Sequence, residues 1–169
     1  MIAPVLIVPR DPGTRLRLST AADEAFVRKL YKGARAGDFA AANLPPAALD
    51  MLLEQQFRAQ AAGYAALFPE AQAFIILHRD APVGRLILVA RLDRWLVVDI
   101  MLRPEVRNRG IGGDVIAAVA RTASTEGARE LALSVLINNS GARRLYARLG
   151  FAETGADGAH IAMSRPLGA

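Results

Sequence analysis

The stretch Arg103–Asp114, RPEVRNRGIGGD, places three glycines among three arginines directly after the apolar run Trp95–Leu102, WLVVDIML. The apolar run predicts a buried strand, and the apolar positions from Gly112 to about Glu126 follow one stripe of a helix. The turn therefore delivers the backbone to a helix N-terminus, where unpaired N–H groups and the helix dipole favour an anion. The sequence predicts an anion-binding turn between a strand and a helix.

Three phosphate-binding patterns compete for this turn, and their spacing separates them. A P-loop ends in Gly-Lys-Ser/Thr, which occurs nowhere in the chain. A dinucleotide fingerprint needs a third glycine where Val115 stands. The remaining pattern is Arg-x-x-Gly-x-Gly, which Arg107, Gly110 and Gly112 satisfy.

A second pattern lies further along, in the stretch NNSGARRLYARLGF that ends at Phe151. Offsets of three and seven residues put Asn139, Ala142 and Tyr146 on one face of the predicted helix. The small Ala142 leaves room for a ligand to lie alongside. The stripe is suited to the wall of a groove.

The two patterns together resemble the acetyl-coenzyme A-binding signature of the GNAT superfamily of N-acyltransferases, including its Asn-x-x-Ala-x-x-x-Tyr motif followed by Gly-Phe. The resemblance covers about residues 14–166 and implies one domain over residues 1–169, with residues 1–13 a tail or an edge strand. It implies the α/β GNAT fold, whose mixed, mainly antiparallel central sheet is flanked by helices and splayed between its two central parallel strands.

The periodicity of the chain predicts the element order β-α-α-β-β-β-α-β-α-β-β. Pro45-Pro46 breaks the chain between the first two helices. Parallel pairing is expected wherever a helix forms the crossover. The chain is expected to end in a hairpin with Gly155 and Gly158 around its turn.

The resemblance implies an N-acetyltransferase that moves an acetyl group from acetyl-coenzyme A to a primary amine of a small molecule or protein. The amine would attack directly within a ternary complex. The alternative is a catalytically silent domain that binds acyl-coenzyme A as a sensor or interaction module. Nothing in the sequence identifies the acceptor.

The resemblance also assigns groups that hold the coenzyme. The N–H groups from Arg107 to Gly113 would hold its pyrophosphate, and the Leu102 N–H would bind the thioester carbonyl. Arg143, one helical turn from Asn139, could meet a phosphate. The predicted cofactor-binding residues are Leu102, Arg107, Asn108, Arg109, Gly110, Ile111, Gly112, Gly113, Asn139, Ala142 and Arg143.

Two residues are candidates for proton transfer. Tyr146 matches the position from which the family commonly protonates the departing thiolate, and its alternative role is that of a packing tyrosine. Asp99 is the only carboxylate in the apolar run Trp95–Leu102, and desolvation would suit it to act as a base, through a water. Its alternative role is to pair with an arginine or to cap a loop.

Composition limits the other classes of function. The net charge is +5 and 19 of the 21 basic residues are arginine, which indicates an anionic partner. The arginines are scattered and aromatic residues make up only 6%, so nucleic-acid binding is not expected. No apolar run approaches the roughly 20 residues of a membrane span.

Cysteine is absent from the chain, which excludes disulfides and thiolate chemistry and makes the cytoplasm the expected compartment. No metal site is predicted, because His78 and His160 have no partner at ligand spacing. A homodimer is expected by resemblance to many relatives.

Overall fold

A computed structural model describes residues 3–168 as a mixed sheet with four helices. The elements follow the predicted order, and three short 3-10 turns add to them. In chain order they are β1 (Thr14–Leu18), α1 (Glu24–Arg35), α2 (Pro46–Leu67), β2 (Gln72–His78), β3 (Ala81–Ala90), β4 (Arg94–Leu102), α3 (Ile111–Thr125), β5 (Glu130–Leu136), α4 (Ser140–Arg148), β6 (Ala152–Asp157) and β7 (His160–Pro166).

The seven strands form one sheet in the order β1-β2-β3-β4-β5-β7-β6, in which β4 and β5 are the parallel pair. The expectation of parallel pairing at every helical crossover was therefore wrong at two places. Between β1 and β2 the chain passes through two helices, which return it to the end where β1 finished, and these strands pair antiparallel. Between β5 and β6, β7 occupies the neighbouring position.

The central parallel pair is hydrogen-bonded over only part of its length, as the predicted fold requires. Arg94–Val97 of β4 pair with residues 130–133 of β5. Both strands continue beyond this ladder, β4 to Leu102 and β5 to Leu136, without pairing to each other. The sheet is splayed there, and the backbone groups on the facing edges of β4 and β5 have no partner in the opposite strand.

A β-bulge at Val98 changes which face of the sheet the end of β4 presents. Ile87 of β3 pairs with Asp99, whereas the next β3 residue pairs with Val97, so Val98 is the extra residue. Trp95 and Val97 pack in the core under α3 before the bulge, and after it the even-numbered residues of β4 take that side. Asp99 is consequently turned to the opposite face, toward α1 and α2.

Two hydrophobic cores cover the two faces. The larger lies under α3, where Val115, Ile116 and Val119 are fully buried against the sheet. The smaller lies under α1 and α2, and its buried members are Val27, Leu30, Tyr31, Phe57, Ile75 and Met101. The apolar stripes of the helices thus bury both faces of the central strands.

The segment ahead of β1 forms no strand over residues 3–13 and is fastened to the fold by side chains. Ile7 is buried in the larger core. Arg121 and Thr122 of α3 donate hydrogen bonds to carbonyl oxygens of the segment. The sheet edge is formed by β1, and the segment packs along α3.

The terminal hairpin differs from its prediction at one glycine. Gly158 lies in the turn between β6 and β7 with a φ of 56°. Gly155 lies within β6 beside a register shift and is therefore part of a bulge.

Among residues 3–168, no helix is both long enough and apolar enough to cross a bilayer.

Candidate active site

The arginine-glycine turn connects β4 to α3 as predicted. After the 3-10 turn Pro104–Val106, Asn108 and Gly110 adopt positive φ values of 58° and 82°. The Gly110 carbonyl accepts the hydrogen bond of Asp114 N–H at 3.0 Å, which starts the helix. The N–H groups of residues 111–113 lie in its first turn and have no intrahelical acceptor.

The three glycines of the turn serve different purposes. Gly110 is required by its left-handed backbone, which costs other residues energy. A Cβ on Gly112 would lie 3.4 Å from Leu102 Cδ1, and one on Gly113 would lie 3.3 Å from Leu145 Cδ1. These two glycines bring α3 close to β4 and α4.

Leu102 ends β4 on the open edge of the splay. Arg103 N–H donates to the Val83 carbonyl of β3 at 2.8 Å, and Leu102 pairs with Gly84. Because successive backbone groups alternate sides, the Leu102 N–H and carbonyl point away from β3 and into the gap. Arg107 Nε donates to this carbonyl at 3.2 Å.

The α4 helix places Tyr146 beside the gap. Its ring is 8% exposed and packs at a tilt against Phe151, with ring centroids 5.8 Å apart. The hydroxyl is neither enclosed nor hydrogen-bonded to any residue in the part of the chain that the structure describes. Burial, and then the negative charge of Asp99, raise the pKa of Tyr146 to about 12, so the phenol is protonated at neutral pH.

The other α4 residues are engaged within the fold. Asn139 is the N-cap, and its Oδ1 accepts from Ala142 N–H at 3.1 Å. Arg143 donates to Glu153 Oε1 at 2.6 Å and to the Ile137 carbonyl at 3.1 Å. These bonds tie α4 to β6 and to the end of β5, so a coenzyme phosphate would have to compete with Glu153 for Arg143.

Asp99 pairs with a buried arginine. Arg85 Nη2 donates to Asp99 Oδ2 at 2.6 Å and reaches Gln60 Oε1 at 3.4 Å. The Arg85 and Asp99 side chains are only 8% and 13% exposed. Pairing with an arginine was the alternative role for Asp99, and this contact is present. Its role as a base stays a prediction.

Arg85 and the two tyrosines that accompany it were not predicted from the sequence. Burial is the main cause that raises the pKa of Tyr31 in α1 and of Tyr64 in α2, the latter to about 12. The charges of Asp99 and Arg85 also affect the pKa of both phenols. Arg85 is the only charged residue in the run Val83–Ala90. A single charge within an apolar strand distinguishes Arg85 in β3 in the same way as Asp99 in β4.

The remaining polar residues near the turn have structural contacts. Asp114 accepts from Arg10 N–H at 2.9 Å and Asp11 N–H at 2.8 Å, so its carboxylate fastens the N-terminal segment. Thr14 Oγ1 lies 3.1 Å from His78 Nδ1 and donates to Asp11. Within residues 3–168 there is no cluster of three or more residues suited to hold a metal ion.

A sheet splayed between parallel strands, with an unpaired helix N-terminus at the mouth of the gap, is the architecture of an N-acyltransferase domain. Residues 39–151 match the sequence model of the acetyltransferase (GNAT) family, so the chain belongs to this family. No curated protein matches the sequence significantly.

Solved structures share this fold at low sequence identity. The chain is similar to PaiA N-acetyltransferase from Thermoplasma acidophilum in complex with coenzyme A (TM-score 0.71, 14% identity, 90% of this chain and 98% of that one). It is also similar to the ribosomal-protein-S18-alanine N-acetyltransferase from Escherichia coli (TM-score 0.63, 18% identity, 91% of this chain and 94% of that one). A third similar structure is a spermidine N-acetyltransferase chimera of SpeG from Vibrio cholerae and hSSAT (TM-score 0.63, 18% identity, 92% of this chain and 96% of that one).

Proposed function

We propose that this acetyltransferase moves the acetyl group of acetyl-coenzyme A to a primary amine by direct attack in a ternary complex. The observation that carries the proposal is the open edge of β4 beside the first turn of α3. Pairing with β5 ends at Val97, and the Leu102 N–H points into the gap. A thioester carbonyl bound there would have a preoriented donor for developing negative charge.

The first turn of α3 fits the diphosphate of the coenzyme. The free N–H groups of residues 111–113 and the positive helix end favour an anion, and Arg107 and Arg109 are exposed beside them. Arg107 can leave the Leu102 carbonyl, because that contact is made at the surface. The turn would thus hold the anionic end of the cosubstrate while β4 aligns its thioester.

Tyr146 is the proposed acid. Its buried ring fixes the phenol beside the gap, and its hydroxyl is free to donate to a departing thiolate. A pKa of about 12 keeps the proton on the phenol throughout the physiological range. The group is therefore always in the donating form.

Asp99 is the proposed proton acceptor, acting through a water. Arg85 lies in contact with it. A carboxylate is a weak base toward a free ammonium group. It suffices for the far more acidic nitrogen that exists once the new C–N bond has begun to form.

The experiment is a calorimetric titration with acetyl-coenzyme A and coenzyme A, followed by an assay of thiol release with a panel of amines. Micromolar binding and amine-dependent thiol release are the expected results. The Gly110→Arg variant, which places a bulky side chain on a strained turn, should lose binding. Binding without thiol release for any amine would support the acyl-coenzyme A sensor instead, and absence of binding would contradict both functions.

A further inference from the structure

The face of the sheet that is turned toward α1 and α2, where Asp99 lies, holds one more charged group than the proposed chemistry uses. Arg85 projects from β3 onto the same face as Asp99 and is only 7% exposed. The proposed proton transfers involve Tyr146 and Asp99 and give Arg85 no contact with substrate. A guanidinium is costly to bury unless its donors are used.

Most donors of Arg85 have no acceptor among the residues that the structure describes. Its Nη2 makes both contacts, to Asp99 and to Gln60. Its Nε is enclosed and has no acceptor, and within residues 3–168 its Nη1 is neither hydrogen-bonded nor fully enclosed. A guanidinium carries five N–H donors, and buried polar groups are normally satisfied. The unused Nη1 therefore keeps donors that a ligand could use.

The charges around the site do not favour a polyamine. All four carboxylates of α1, α2 and the segment between them have a cationic partner of their own. These pairs are Glu24–Arg28, Asp38–Arg35, Asp50–Lys32 and Glu54–Arg58. Asp99 is likewise neutralised by Arg85. A ligand with several positive charges would find no spare negative charge here.

We propose that the acceptor is a compact zwitterion, an α-amino acid, whose carboxylate binds Nη1 of Arg85 while its amine lies beside Asp99. The inference rests on the proposed function. Arg85 and Asp99 touch at 2.6 Å, so the two groups that they bind must be close neighbours in the ligand. In an α-amino acid the amine and the carboxylate share one carbon. A guanidinium is well matched to a carboxylate in geometry and charge.

Tyr31 and Tyr64 complete the surroundings of this ion pair. Tyr31 is buried in the smaller core and Tyr64 belongs to α2, on the face of the sheet to which Asp99 is turned. Burial raises the pKa of each phenol, so both stay neutral and can donate to a carboxylate. They add hydrogen bonds without adding charge. The site is thus balanced for a ligand of no net charge.

The test compares free L-amino acids with their C-terminal amides in the thiol-release assay. The amide keeps the amine and side chain and replaces the carboxylate with a neutral group of similar size. For the best acceptor we expect kcat/KM to be higher for the acid than for its amide by about tenfold to a hundredfold, the usual range for a charged hydrogen bond. An amide that is accepted equally well or better would overturn the inference.

The Arg85→Lys variant keeps the charge next to Asp99 and removes the fork of donors. It should bring the acid-to-amide ratio to within about threefold of unity while changing kcat/KM for the amide far less. Arg91→Lys is the matched control, because Arg91 follows the same strand but is exposed and pairs with Glu70. It should leave the ratio unchanged. An unchanged ratio in Arg85→Lys would assign Arg85 to the fold alone.

A binding measurement separates failure of this inference from failure of the proposed function. If coenzyme A binds but no amine releases thiol, the proposed transfer fails. Melting curves of the coenzyme A complex then decide the inference. The zwitterion site would be supported if the amino acid, but not its amide, raises the melting temperature of the wild-type complex. Neither compound should raise the melting temperature of Arg85→Lys. No such increase would contradict it.

Discussion

Asp99 on β4 and Tyr146 on α4 are electrostatically coupled across the gap: after burial, the charge of Asp99 is the second cause that raises the pKa of Tyr146 to about 12. A negative charge near a phenol favours the protonated form of that phenol. In the proposed mechanism Tyr146 is the acid, and an acid must carry its proton when the amine and the thioester meet. The neighbouring charge therefore keeps Tyr146 in the form that its proposed role requires.

Removal of the Tyr146 hydroxyl tests the acid role directly. Tyr146→Phe should lower kcat by about a hundredfold or more, the range of general acid catalysis, and change coenzyme A affinity by less than about twofold. Thiol release and calorimetry measure the two quantities. Because the hydroxyl has no hydrogen bond within residues 3–168, the melting temperature should not move. Turnover equal to wild type would leave Tyr146 as a packing residue.

The same phenol makes the fold sensitive to alkali. Tyr146 ionises near pH 10 when unfolded and near 12 when folded, so the unfolded chain loses the proton first. The stabilisation is complete below about pH 10 and is lost as the pH rises through about 12. Between pH 9 and pH 11, the free energy of unfolding measured by guanidinium denaturation should fall less for Tyr146→Phe than for wild type. An equal fall would mean that the ring is solvated in solution.

The fold was largely predictable because its periodicity is strong and its breaks are explicit. The Pro-Pro break and the glycines after α3 and α4 marked the ends of elements whose apolar stripes were already clear. The bulge at Val98 has no such signal, since an extra residue in a continuous apolar run leaves the run unchanged. The face on which Asp99 lies therefore could not be predicted from alternation.

The site was predictable where a local motif sets the backbone and less so where distant residues meet. The start of α3 follows from Gly110 and the residues around it. The partners of Asp99 come from β3 and α2, and those of Arg143 come from β6. Such contacts depend on strand order and register, which the two motifs do not contain.

Acid should weaken the attachment of α1 through Asp23. Arg17 donates two hydrogen bonds of 2.7 Å to this carboxylate, and Thr20 N–H donates a third; Arg17 first and Thr20 second hold the pKa of Asp23 well below its usual range. The stabilisation is present above the unfolded pKa of about 4 and is lost as the pH falls through the folded value.

Asp23→Asn should consequently lower the melting temperature at pH 7, and the difference from wild type should shrink at pH 3. Asp93→Asn is the control, because Asp93 is exposed and lies 3.9 Å from its cationic partner Arg129. It should change little at either pH. A difference for Asp23→Asn that is as large at pH 3 as at pH 7 would show that the charge of Asp23 is not the cause.

The glycines of the turn should respond differently to alanine. Gly110→Ala forces a side chain into a left-handed backbone and should cost about 1–2 kcal/mol, which lowers the melting temperature by about 2–8 °C. Gly112→Ala adds a methyl group at ordinary contact distance from Leu102 within a helix and should leave the melting temperature unchanged or higher. Equal losses would mean that packing, and not conformation, requires both glycines.

Asp114 links the start of α3 to the N-terminal segment, and its removal should free that segment. Asp114→Ala takes away the acceptor of the Arg10 and Asp11 N–H groups, whereas Ile7 keeps its place in the core. Hydrogen exchange should therefore accelerate at these two amides and much less around Ile7. Asp114→Asn retains one side-chain oxygen as an acceptor and should give an intermediate rate. Equal acceleration along the whole segment would show that the two hydrogen bonds, rather than burial of Ile7, hold it to α3.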